Sequence, residues 1–273
     1  MAVMKTMSQT LKIVALLAIG LLAFSNVSRA EEIKVMTSGA FTAAYQEVIP
    51  EFEHSTHNKV VTAYGASMGN APDSIPSRME RGEPVDVVIL ADAALSELIK
   101  QGKVVPGSRV ELVRSSIGMS VKAGALKPDI SSVDALKRTL LQARSIAYSA
   151  SASGVYLSQE LFPRLGIADQ IKQKCMRIES GPVGAAVARG EAEIGFQQVS
   201  ELLPVSGIDY VGPLPPEAQK VTVFSAGIAV GAKQPEAARA LIQFLESPAV
   251  VPAIKKSGLE PLHAGVKRTP SAP

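Results

Sequence analysis

The sequence predicts an α/β protein of two lobes, each a mostly parallel sheet flanked by helices, with a ligand cleft between them. Three observations predict it. After residue 31, short β-rich runs alternate with helical patterns, the order that builds a parallel sheet covered by helices. Two long extended patterns, 112–124 and 221–232, interrupt the series, and they read as two crossings that insert the second lobe into the first. Finally, the chain beyond residue 30, about 240 of the 273 residues, is large for one core but suits two lobes of ordinary domain size. The expected boundaries are 31–115 and 225–273 for lobe 1 and 116–224 for lobe 2.

Residues 1–30 carry Lys5 and Lys12, an apolar run over 13–24, and Ser28-Arg29-Ala30. This is the pattern of a secretory signal peptide, cut after Ala30. The 12-residue run falls short of the roughly 20 residues that span a bilayer, so an exported, soluble protein is expected, periplasmic in a cell with two membranes. Without the leader's three basic residues, the 28 basic and 25 acidic residues become 25 and 25. No basic stripe with interleaved aromatics occurs, so nucleic acid is not an expected partner. Anion binding must then be local rather than a property of the whole molecular field.

In the first lobe, a strand at 33–37 leads to a helix at 43–52, a strand at 60–64 to a helix around 75–81, and a strand at 85–90 to a helix at 93–101. The last of these strands, VDVVIL, is apolar at consecutive positions, as in a strand covered on both faces. The second lobe reads as a helix at 133–143, a strand at 145–148, a helix at 155–165, a strand at 176–178, a helix at 183–189 and a strand at 192–196. The chain then closes with helices at 235–245 and near 250–256, and a Pro-rich tail expected to fray.

Catalytic motifs of the common kinds are missing. Cys175 is the single cysteine, so neither an intrachain disulfide nor a cysteine metal cluster is expected. His54, His57 and His263 have no carboxylate pattern around them that would complete a metal set and read as solvated side chains. No metal and no cofactor is expected. A Gly-x-Ser-x-Gly nucleophile elbow is also lacking.

Ligands of open α/β sheets bind beyond the carboxyl ends of the strands. Here those ends read Thr37-Ser38-Gly39-Ala40, Gly65-Ala66-Ser67-Met68-Gly69, Ala91-Asp92, Ser149-Ala150-Ser151-Ala152-Ser153-Gly154 and Ser180-Gly181-Pro182. One Ser/Gly turn is an ordinary strand-to-helix turn with a Ser or Asn cap. Four that converge on one cleft read as a cradle of N–H and hydroxyl donors for an anion. Each neutral bond contributes only about 0.5–1.5 kcal/mol, roughly doubled for a charged acceptor, so several must converge to hold a solvated ion. Closure of the lobes would bring them together.

The segments IKVMTSGAFTAAYQEVIPEF, RGEPVDVVILADAALSELIKQGKV, SGVYLSQELFPRLG, VARGEAEIGFQQVSEL and PEAARALIQFLESPAV together resemble the molybdate-binding family of periplasmic solute-binding proteins, from residue 31 to about 262. The resemblance implies a type II periplasmic-binding-protein fold, a small anion (oxyanion or organic polycarboxylate) as ligand, and an ABC-transporter permease in the inner membrane as partner. It places ligand contacts at Ser38, Gly39, Ser67, Met68, Ser153, Gly154, Gly181 and Gln198. The family's first-loop serine falls at Ala40, with Ser38 two residues away, and Gln198 stands where molybdate binders carry a tyrosine.

Extra length between Ser67 and Gly82 brings in Pro72, Asp73, Pro76 and Arg78. If Pro76 starts a helix, Arg78 falls in its first turn, where a planar guanidinium could grip a carboxylate. The alternative is a surface arginine paired with Glu80 or Glu83. Aconitate isomerase, which moves a proton along an allylic tricarboxylate, is similar in fold to the same family, so the resemblance carries an isomerase as a second expectation. Tyr156, Asp92 and Tyr64 lie near the expected cleft as candidate bases. Each also has a structural reading: a helix-face aromatic, a helix cap and a strand residue.

Overall fold

The computed structural model describes residues 31–263; the leader expected over 1–30 and the tail after 263 lie outside the described residues. The first lobe opens with β1 (Glu32–Thr37), α1 (Gly39–Thr56), β2 (Lys59–Tyr64), α2 (Ile75–Glu80), β3 (Val87–Ala91) and α3 (Asp92–Lys100). Helix α1 starts four residues before the expected 43, at the end of β1. It buries Phe41, Ala44, Tyr45, Val48, Ile49 and Phe52, the spacing of one helical face. It stops at His57, which takes a left-handed conformation with φ 59° and donates its N–H to Glu53 O. All five residues of β3 are buried, because β1 pairs on one side, β10 on the other, and helices cover both faces.

The expected extended run 112–124 is two strands, β4 (Val110–Ser115) and β5 (Ile117–Lys122). Ser116 between them carries the chain from the first sheet to the second. There follow α4 (Val133–Gln142), β6 (Ile146–Ser149) and α5 (Ala152–Tyr156), which runs through a π-helical turn (Leu157–Leu161) into α6 (Phe162–Arg164). Pro163 accounts for the π turn: with no N–H of its own and a ring that crowds the preceding turn, it leaves Phe162 N–H to reach Leu157 O, five residues back. Next come α7 (Ala168–Ile171), β7 (Cys175–Ile178), α8 (Val183–Ala188), β8 (Ile194–Gln198), α9 (Val199–Leu202), β9 (Ile208–Pro213), β10 (Thr222–Ile228), α10 (Pro235–Leu245), α11 (Val251–Lys256) and β11 (Glu260–Pro261).

The first sheet has the order β11-β4-β10-β3-β1-β2 and the second β7-β6-β8-β5-β9. Both are mixed rather than mostly parallel. In each, one trio of strands is parallel, β2-β1-β3 and β7-β6-β8, and it is this trio that carries the strand-then-helix units. The strands that cross between lobes run against it: β10 is antiparallel to β3 and β4, and β5 to β8 and β9. Since β10 belongs to the first sheet from Thr222, the return crossing lies within 214–221, ahead of the expected boundary at 225.

Apolar side chains of α1, α10 and α11 pack on one face of the first sheet and those of α3 with Ile75 on the other. A separate core fills the second lobe. Truncating one large member such as Phe41, which is fully buried, costs about 3–5 kcal/mol. One buried carboxylate stitches the first lobe: Asp86 accepts from the backbone N–H groups of Lys34 (2.8 Å), Lys233 (2.7 Å) and Gln234 (3.1 Å), fixing β1 to the start of α10. Among the described residues no helix is long and apolar enough to cross a membrane.

Candidate functional site

Between the lobes, beyond the ends of the two parallel trios, lies a cavity of about 470 Å³. Its first-lobe wall begins where β1 ends. The Ser38 N–H is held by Ile89 O at 2.8 Å, and α1 starts at the next residue, so the first N–H groups of an 18-residue helix open on the cavity. The positive end of the helix dipole points the same way. Ser38 does not cap the helix with its side chain; its Oγ is buried and has no hydrogen-bond partner among the described residues. Ser67, 1% exposed, accepts the Ala91 N–H with its Oγ at 2.9 Å and keeps its own proton to donate. Gly65 allows the end of β2 to meet the following loop, because a Cβ there would lie 1.9 Å from Asp73 O.

The second-lobe wall is built from the ends of β6, β7 and β8. Ser149 and Ser153 hydroxyls bond at 3.1 Å, and Gly154 lets α5 turn tightly over β6: a Cβ there would fall 1.6 Å from Ser149 O. Gln197 accepts the Val183 N–H at 2.8 Å. Gln198 donates to Thr222 Oγ1 at 3.1 Å, across to the first strand residue of β10, while its own Oε1 is buried with no partner among the described residues. Ser180 donates to Asp73, tying the second lobe to the first.

Glu201 completes this wall. It stands in the first turn of α9, accepts from Gln197 Nε2 at 2.9 Å and from the Gln198 N–H, and is half-buried. Its carboxyl reaches the other lobe, for a Cβ on Gly39 would lie 2.0 Å from Glu201 Oε1. Burial raises its pKa to about 7, against the opposing pull of the two bonds from Gln197 and Gln198. The described residues lining the cavity include Asp73, Glu179 and Glu201 but no Lys, Arg or His. Any anion held here is therefore held by N–H and hydroxyl donors. Among the described residues no group of three His, Cys, Asp or Glu side chains is placed to hold a metal.

The cavity brings together Ser38, Gly39, Ser67, Ser153, Gly181 and Gln198. Met68 instead packs against the two first-lobe cores, and Gly154 is buried behind the wall. Arg78 is a correction. Pro76 does sit at the start of α2, but the helix is capped by Ser74 and Arg78 falls in its last turn. There it pairs with Glu83 at 2.8 Å and donates from Nε to Asp73 O at 3.1 Å, so it braces the loop behind the cleft and does not line it. Two candidate bases are also engaged elsewhere: Tyr156 donates to Ala218 O, and Asp92 pairs with Arg109 and accepts from Ser225. Tyr64 does line the cavity, with its hydroxyl bonded to Gln46. Sequence reasoning passed over Glu201, although a Glu three residues after a helix-opening residue is the spacing of a capping box.

A fold of two mixed sheets with helices on their faces and an anion-compatible cleft between them is the architecture of the type II periplasmic binding proteins. The sequence pattern of bacterial extracellular solute-binding proteins matches residues 33–260, and the chain belongs to that family, whose membership supports a periplasmic or other extracytoplasmic location. Within it, the chain is 49% identical over 232 residues to the aconitate isomerase of Pseudomonas sp., covering 85% of this chain and 88% of that protein. It is 30% identical over 259 residues to the molybdate-binding protein ModA of Azotobacter vinelandii, covering 90% and 96%. The solved structure of the periplasmic molybdate-binding protein of Azotobacter vinelandii shares the fold at a TM-score of 0.66 and 22% identity, over 83% of this chain and 98% of that one. The chain is thus related both to anion-binding transport proteins and to an isomerase.

Proposed function

We propose that this protein is a periplasmic aconitate isomerase, which interconverts cis- and trans-aconitate in the cleft between its lobes. The observation that carries the reading is the 49% identity to an aconitate isomerase over most of both chains, against 30% to ModA. The cleft supports it. A cavity of about 470 Å³ is of the size that encloses a small organic molecule. Its neutral donors suit carboxylates, and it departs from the molybdate-binding pattern at Ala40 and Gln198. The reaction is an allylic proton shift, which balances without oxidant or reductant. Binding draws donors from the end of β1 and the start of α1 on one side, and from Ser153 and the turn around Gly181 on the other.

The test is to mix the purified protein with each aconitate isomer separately and follow both by proton NMR. Convergence on one mixture from either side is expected. No interconversion, with a ligand-induced rise in melting temperature for molybdate, sulfate or citrate, would favour the second reading. That reading is a receptor that hands a small anion to a membrane permease; the similarity to ModA along 96% of its length supports it. The leader expected over 1–30 belongs to both.

A further inference from the structure

We infer that Glu201 is the acid–base residue of the cleft, the group that takes the carbon-bound proton of an allylic polycarboxylate and returns it to a different carbon. The inference rests on the isomerase reading. It starts from the titratable groups that line the cavity, which differ in what they are already doing. Asp73 accepts from Ser180 and sits in a loop held by Arg78. Glu179 pairs with Arg177 at 3.2 Å and its side chain is 57% exposed. Tyr64 is 41% exposed and bonded to Gln46. Glu201 is held by two neutral donors, Gln197 Nε2 and the Gln198 N–H, has no cationic partner among the described residues to hold it permanently ionised, and reaches across to Gly39 at the start of α1.

Its place matters as much as its partners. The carboxyl lies against Gly39, where the first N–H groups of α1 emerge beside the unpartnered Ser38 Oγ. Removing a proton from the methylene carbon next to a carbon–carbon double bond breaks that C–H bond and leaves its electron pair spread over the allylic system and the attached carboxylate. The developing charge is then stabilised by the end of α1. The Glu201 carboxylic acid gives the proton to the far allylic carbon, the double bond moves by one position, and no atom or charge is gained or lost. A base that must ionise and reprotonate in each turnover works best when its two forms are close in energy near the ambient pH, and burial moves Glu201 in that direction.

Glu201→Gln tests this, since glutamine retains the volume and an oxygen for the Gln198 N–H. Expected are a fall in kcat for aconitate of at least about 100-fold, an undiminished ligand-induced rise in melting temperature, and loss of the deuterium that the wild type builds into substrate carbon in D2O. A variant that keeps kcat within about tenfold, or that loses binding and turnover in equal measure, overturns the inference, the second result marking a positioning role. A wild type that binds aconitate without interconverting it overturns the isomerase reading and this inference together. Should the variant fail to fold, the wild-type kcat profile decides: a limb near neutrality is expected, and a flat profile from about pH 5 to about pH 9 overturns the assignment. Asp73, Glu179 and Tyr64 are the other titratable groups on the cavity, and Glu47 of the facing α1 is paired with Lys256.

Discussion

The two walls of the cleft are made from the same kind of element, a strand end that opens a helix, yet they are equipped differently. On the first-lobe wall a long helix, 18 residues and anchored by a continuous apolar face, presents its N-terminus with the Ser38 and Ser67 hydroxyls. The second-lobe wall has the short helices α8 and α9, of six and four residues, beside α5, which continues through the π turn into α6, and it carries Gln197, Gln198 and Glu201. The first wall can bind an anion but has little to exchange with it; the second supplies the group that can move a proton. The contact of Glu201 with Gly39 joins the two walls, so the proposed chemistry draws on both lobes.

That division can be broken at its seam. Gly39→Ala puts a methyl group where the Glu201 carboxyl lies, and the carboxyl must swing off the end of α1. Turnover is expected to fall by roughly 10- to 100-fold, on the general scale of misplaced acid–base groups, with melting temperature nearly unchanged. Steady-state kinetics beside a thermal melt checks it, and full activity would mean that Glu201 does not act from this position.

The two serines of the first wall should separate binding from folding. Ser38→Ala removes a hydroxyl that has no partner within the described residues. It should weaken the ligand by about 1.5–3 kcal/mol, that is by roughly 10- to 100-fold, and leave stability alone. Ser67→Ala should weaken the ligand and also destabilise the free protein by about 1–3 kcal/mol, because the Ala91 N–H loses its buried acceptor. Calorimetric titration with aconitate and urea unfolding of both variants give the comparison; equal unfolding midpoints for the two would contradict it.

Smaller effects sharpen the picture. A carboxyl whose pKa is raised by folding binds its proton more tightly in the folded state. The stability associated with Glu201 is therefore fully present below its unfolded value near 4.5 and is lost as pH rises through about 7. The ligand-free wild type should lose melting temperature between these values relative to Glu201→Gln, and parallel curves would refute the shift. Least of all, Arg78→Lys should leave ligand affinity within about twofold, since Arg78 meets Glu83 and not the cleft. A tenfold loss in a titration would put the guanidinium back in the site.

Much of the fold was legible where one physical cause dominated. Consecutive apolar residues in VDVVIL gave a strand buried on both faces, and the strand-to-helix alternation gave the parallel trios. The crossing strands were read as extended but not as antiparallel, because direction is set by which lobe the chain returns from and leaves no mark on side-chain type. β9, IDYVGP, is half-buried along its length and lacks a clear alternation, so it escaped notice. In the site, Ser/Gly turns were visible because backbone geometry demands those residues. Glu201 was not, since an acidic residue in a first helical turn is ordinarily a solvated one, and only the facing lobe makes it otherwise. Arg78 was misplaced because its position depends on where α2 begins: capping by Ser74 turns it toward Glu83.

The lack of cationic side chains among the described residues that line the cavity has a consequence for capture from solution. Asp73, and Glu201 when ionised, oppose the approach of a polyanion until it reaches the short-range donors at the helix end, while Glu179 is balanced by Arg177. Added salt, which screens exposed charge beyond about 8–10 Å, weakens that opposition sooner than it weakens the final hydrogen bonds. The association rate should accordingly rise with ionic strength, the reverse of electrostatically steered receptors, which makes a saline exterior a better working medium for this cleft than a dilute one.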